Sequence, residues 1–161
     1  MARGSLDRYL VVAVVVAAGL AVALMERRAR EPPLSRDRAS WTVTPGVLNP
    51  DVSQRTIAST ICASGWTSEI RPSSDYTGRL KLEQMRAYGR TGTPDGYQED
   101  HLISLELGGH PTDPRNLWPE PRPRAEAVDR IENELNAAIC SGRVTLAAAQ
   151  QRISEIKHTA G

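Results

Sequence analysis

Residues 100–119 read DHLISLELGGHPTDPRNLWP. They place a carboxylate, an imidazole, a tight glycine turn and a second polar anchor, Asn116, within twenty residues. Leu102, Ile103, Leu105 and Leu107 give the segment the apolar density of a buried strand, expected over 97–107 and bent at Gly108-Gly109. Residues 116–118 fit a short returning strand, ended by Pro119, Pro121 and Pro123. A plain core strand needs neither Asp100 nor His101, and the chain has only three histidines.

Downstream, Val128, Ile131, Leu135 and Ile139 form one stripe of a helix over 125–141, with Gly142 beyond its end. Thr145 caps a last helix over 145–158 that carries Leu146, Ala149, Ile153 and Ile156. His158 falls in the fraying end of that helix and is given no role. Upstream, Asn49-Pro50-Asp51 supplies a cap, a first-turn proline and an early carboxylate for a helix over 50–64, with Ile57 and Ile61 on one face. Leu82, Met85 and Tyr88 mark another over 75–88, stopped by Gly89. The expected fold class is α+β: one small, mostly helical domain over 50–161, built around a strand-strand-helix unit at 97–141. No internal repeat is present.

A formal charge of +1 excludes a global attraction to nucleic acid, so any polyanion must be met by local clusters of arginine. Phe is absent, and the core must rest on Leu, Ile, Val, Ala and a few Trp and Tyr residues. A covalent staple would help so thin a supply.

The first residues bear on the compartment. Residues 10–25 read LVVAVVVAAGLAVALM, sixteen without a charge, a membrane-targeting segment slightly short of a full span. With Arg3 and Arg8 ahead of it and Ala21-Val22-Ala23 at its end, a cleaved signal peptide and an uncleaved transmembrane anchor both fit residues 1–25. Residues 26–49, rich in Arg, Pro and Ser, read as a tether. Arg27, Arg28, Arg30, Arg36 and Arg38 favour a cytoplasmic C-terminal side by the positive-inside rule. Cys62 and Cys140 pull the other way, because an even cysteine count behind an export segment suggests a disulfide. Two unrelated buried thiols are the plainer alternative. A bridge closing about 80 residues would stabilise by roughly 3 to 5 kcal/mol. Export is the side taken: a membrane-anchored or secreted protein whose domain lies outside the cytoplasm, with the membrane as a partner if the segment stays.

The order strand, glycine loop, short strand, helix, with Asp-His on the first strand and Asn on the second, resembles the HNH nucleases of the His-Me finger group, whose ββα unit grips one divalent metal. The resemblance covers about 97–140, and its specific core is DHLISLELGG with NLWP. More widely, Ile61-Cys62, Gly65-Trp66-Thr67 and Cys140 look like parts of small exported bacterial HNH-like proteins. The resemblance implies a nuclease hydrolysing phosphodiester bonds of nucleic acid, DNA first, with little sequence specificity.

The chemistry fits these residue types. His101, with an unperturbed pKa near 6.5, can accept a proton from water near neutral pH as general base. Asp100 offers oxygen to a hard cation, Mg²⁺ first, with Mn²⁺, Zn²⁺ or Ni²⁺ as alternatives. Consecutive strand side chains point to opposite faces, so both reach one phosphate only if the strand is distorted there. By the resemblance, Asn116 braces the loop and orients the His101 ring. The third position of the family pattern lands on Ala125, which cannot ligate; Asp129 first and Glu126 second offer oxygens on the same helix, with Asn133 beyond and His110 as an outside candidate. Arg115, Arg122, Arg124 and Arg130 surround the stretch and could hold phosphates, or simply face solvent. Trp118 fits the core better than a base stack. The empty position at Ala125 sustains a second expectation, a non-catalytic envelope or nucleic-acid-binding module on a degenerate HNH scaffold. Nothing in the sequence points to a protein partner.

Overall fold

The computed structural model describes residues 37–159. The apolar segment at 10–25, its flanking arginines up to Arg36 and the first part of the tether lie outside the described residues. Among the described residues no helix is long and apolar enough to cross a membrane.

The domain is α+β. Helices α1 (Trp66–Ile70) and α2 (Ser74–Ala87) precede strand β1 (Tyr97–His101), and strand β2 (Leu117–Pro121) leads directly into α3 (Arg122–Cys140), followed by α4 (Leu146–His158). The two strands pair antiparallel, with Asp100 opposite Trp118 and His101 opposite Leu117. Ser73 caps α2 by accepting from the Tyr76 amide, and Thr145 caps α4 by accepting from the Ala148 amide.

Four boundaries differ from the sequence reading, the first being β2, which runs on through Pro119 to Pro121 instead of ending at Trp118. Residues 50–64 form turns and a short 3-10 segment, Ile57–Ser59, in place of a helix. Their hydroxyls and amides compete for the backbone: Asn49 Oδ1 accepts from the Asp51 amide, Thr56 Oγ1 donates to Asp51 O, and Thr60 Oγ1 donates to Thr56 O. β1 stops at His101: the Leu102 amide still donates to the Asn116 main-chain carbonyl, but the Asn116 side chain, not a strand, takes both polar groups of Ile103. α3 starts at Arg122, three residues earlier than expected, since Pro123 stands in the first turn, where its missing N–H costs nothing.

The main core joins Val52, Ile61, Ile103 and Leu107 to Val128 and Ile139 of α3 and to Leu146, Ala149 and Ile153 of α4. A second cluster packs Ala39, Tyr88, Leu102 and Trp118. The end of the expected tether therefore belongs to the domain. The Ala39 amide donates to Lys157 O, the Tyr88 hydroxyl donates to Thr44 Oγ1 and accepts from the Ser40 amide, and Trp41 stacks on His158 at 3.5 Å. These contacts tie residues 39–44 to α4 and to Tyr88 at the end of α2, in a stretch that a composition-based reading takes for linker. His158 is correspondingly buried, with Nε2 2.9 Å from Thr44 O, and is not in a frayed tail. Cys62 and Cys140 form the expected disulfide, with their Cα atoms 5.7 Å apart.

Candidate functional site

The loop between the strands is shaped by Gly109 and Asn116. A Cβ on Gly109 would stand 1.7 Å from Ile103 O and 2.7 Å from Asn116 Nδ2, so only glycine lets the two sides of the loop approach this closely. Asn116, fully buried, uses both ends of its amide. Oδ1 accepts from the amides of Ile103 and Val47, and Nδ2 donates to the carbonyls of Ile103 and His110. These four bonds tie the two sides of the loop together. They also fix the chain just before Pro111, whose carbonyl lies 2.9 Å from His101 Nε2.

That last contact defines the imidazole. A carbonyl can only accept, so Nε2 carries the proton and donates, leaving Nδ1 with its lone pair. Nδ1 has no protein hydrogen bond among the described residues. Burial lowers the His101 pKa, which favours the neutral ring near pH 7. The ring sits at the last position of β1, where the chain leaves the pleat, and this is how Asp100 and His101 come to line the same cleft.

The cleft has a volume of about 270 Å³ and opens between the end of β1, the loop after it, α1 and α3. Its charged lining comprises Asp100, Glu106, Asp129 and Glu132 against one cation, Arg71. Burial raises the Asp129 pKa, with Asp100 adding to the rise, and it raises Glu106, with Asp129 adding. Such a cleft repels an approaching phosphate unless a cation screens it.

Behind the cleft the fully buried Lys157 of α4 projects its ammonium into a group of carboxylates. It is ion-paired to Asp100 Oδ2, lies 2.7 Å from Glu132 Oε1 and 3.7 Å from Glu120 Oε2, and donates to the main-chain carbonyl of His101 at 2.7 Å. Burial alone would depress the Lys157 pKa, yet Asp100, Glu132 and Glu120 together hold it above its ordinary value. Burial likewise works against an ionised Asp100, and the neighbouring ammonium nevertheless keeps that carboxyl below the usual range. Glu132 is pushed up to about 7 and Glu120 to about 8, in both cases by burial against the pull of Lys157.

Of the residues singled out in the sequence, Asp100, His101 and Asp129 meet at the cleft, with Asn133 beside them. Glu126 is exposed and does not line it, and Ala125 is buried in the core. His110 accepts the Thr112 and Asp113 amides through Nδ1, a local loop contact. None of the four arginines lines the cleft. Arg115 grips Asp113 through Nε and Nη2, Arg122 donates to Asp95 O, and Arg130 is exposed. Arg124 pairs with Glu120, donates to Ile156 O and lies over the Trp118 ring. Trp118 is fully buried.

Arg71, Glu132 and Lys157 were missed. The signal for two of them was present: Glu132 follows Val128 by four residues and Lys157 follows Ile153 by four, so each charge falls on the inward stripe of its helix. A charge on a buried stripe asks for a partner, and these two are each other's.

A divalent cation can be tested against these donors. Carboxylates and an amide sharing one net-negative cleft are the hard oxygen set that Mg²⁺ takes. Glu132 Oε1 faces the Lys157 ammonium at 2.7 Å, so that oxygen is already committed to the protein's own cation. Among the described residues no three His, Cys, Asp or Glu side chains converge closely enough to enclose an ion. Asp100 and Asp129 are the two carboxylates of the cleft lining that the sequence singled out as ligands. No protein-family model, no curated protein and no solved structure gave a match to the chain.

Proposed function

We propose that the chain is a metal-dependent endonuclease of the HNH type that hydrolyses phosphodiester bonds of nucleic acid, DNA first, with low sequence specificity. The observation that carries this reading is His101: a neutral imidazole whose Nε2–H is held by Pro111 O, leaving Nδ1 as the basic atom in a cleft it shares with Asp100. His101 takes a proton from a water as its oxygen attacks phosphorus and the P–O bond to the leaving group breaks. Asp100 and Asp129 would hold a divalent cation, which when bound supplies Lewis-acid stabilisation of the charge on the phosphate. Arg71 is the guanidinium available to meet the phosphate at the cleft, and Asn116 keeps the loop that holds His101. The disulfide supports a location outside the cytoplasm, secreted or membrane-anchored.

The second reading, a non-catalytic envelope or nucleic-acid-binding module, is favoured by one feature: Lys157 already places a cation among Asp100, Glu120 and Glu132. Plasmid cleavage separates the two. The purified chain, incubated with supercoiled DNA and Mg²⁺ or Mn²⁺, is expected to nick and linearise it, and His101→Ala and Asp129→Ala to reduce the rate at least about a hundredfold, within the usual range for a general base. Cleavage that survives His101→Ala removes it as the base; no cleavage with either ion favours the binding module.

A further inference from the structure

We propose that Lys157 is the positioning residue of this cleft: its buried ammonium fixes the Asp100 carboxylate and the His101 main chain to one another, leaving Asp100 Oδ1 and the His101 ring for chemistry. The inference rests on the nuclease reading for its kinetic consequence and on geometry alone for its structural one.

An ammonium has three protons, and here three oxygens surround it: Asp100 Oδ2, His101 O and Glu132 Oε1. Two of them belong to the consecutive residues that carry the proposed ligand and the proposed base. Asp100 is thereby divided. Oδ2 is taken by Lys157 and Oδ1 accepts a long contact, 3.3 Å, from the Gln98 side chain, itself part of the cleft wall, while the Glu120 carboxyl stands within hydrogen-bond reach of the same carboxylate. The carbonyl of His101 is held at the point where β1 ends, so the main chain that carries the ring cannot shift without breaking a buried charge-assisted bond, and the ring itself is held by Pro111 O. Asp100 supplies the counter-charge that makes a fully buried lysine tolerable, and the carboxyl oxygens of Glu132 and Glu120 complete its polar surroundings. An apolar side chain of the same length would fill the space without any of these costs. What the lysine adds is direction, at two residues whose orientation decides the chemistry.

The test compares the full chain with Lys157→Met and Lys157→Ala, checking folding by thermal melts and following single-turnover plasmid cleavage and amide exchange. Lys157→Met is expected to lower kcat by about a hundredfold with KM changed less than about threefold, the pattern of lost positioning. Ethylammonium is expected to restore at least tenfold of the loss in Lys157→Ala and to do nothing for the wild type. Folded variants with wild-type kcat, or a loss in folded Lys157→Ala that the amine does not relieve, would overturn the inference and leave the nuclease reading standing. If the wild type cleaves nothing, that reading fails, and exchange decides the structural claim by itself. The amides of Leu102 and Ile103, which donate to Asn116, are expected to exchange about tenfold faster in Lys157→Met; unchanged exchange there overturns it.

Discussion

At the scale of the residue, Asn116 shows how one side chain can replace a stretch of sheet. Its amide satisfies both polar groups of Ile103 and ties in Val47 and His110, four backbone groups served by one buried side chain. Its bracing role was legible from the sequence only through the resemblance, since an Asn after a turn is ordinary. The bonds themselves depend on Gly109 lying close enough for the loop to close. Asn116→Asp keeps the shape but turns a carboxylate toward two carbonyls in place of the donor NH₂. The expected cost is about 3 kcal/mol, in the range for buried groups left unsatisfied, read as a fall in the urea midpoint with an unchanged slope. A change below about 0.5 kcal/mol would show that the amide does not hold the loop.

At the scale of the element, strong periodicity gave the right answer and side-chain competition hid the rest. The helices read at 75–88, 125–141 and 145–158 stand within one to three residues of α2, α3 and α4, because each has an apolar stripe and a cap or stop that nothing else contests. The helix read at 50–64 failed where Ser and Thr hydroxyls capture backbone groups, which a pattern of two isoleucines cannot reveal. The site followed the same division. Asp100 and His101 were visible as polar residues in an apolar run, whereas Glu132 and Lys157 were hidden inside stripes counted only by their apolar members. The disulfide joins the end of α3 to the segment leading into α1, which carries Thr67 and Arg71 to the cleft wall. Closing a separation of 78 residues, it is expected to contribute roughly 3 to 5 kcal/mol. Replacing both cysteines by serine should therefore lower Tm by roughly 10 °C or more. A shift of only a degree or two would mean that the noncovalent contacts of α3, such as Asn136 Nδ2 donating to Ile61 O, suffice.

At the scale of the whole molecule, charge is arranged rather than accumulated. A net charge of +1 hides an acidic cleft, a buried cation behind it and arginines engaged elsewhere on the surface. On the proposed nuclease reading, nucleic acid approaching such a cleft would need a cation to screen it, and cleavage is expected to depend on added divalent ions. The base must then be neutral to act. Burial lowers the His101 pKa from its ordinary value, so the neutral form predominates at neutral pH and is lost as pH falls through that lowered value. The pH dependence of single-turnover plasmid cleavage, measured with Mg²⁺ from pH 4.5 to 8.5, tests this most directly. The rate is expected to rise with pH along one limb whose midpoint lies below 6.5, to stay level above it, and to lose that limb in His101→Ala. A limb that persists in His101→Ala, or no cleavage at any pH, would contradict the assignment of His101 as the general base of this cleft.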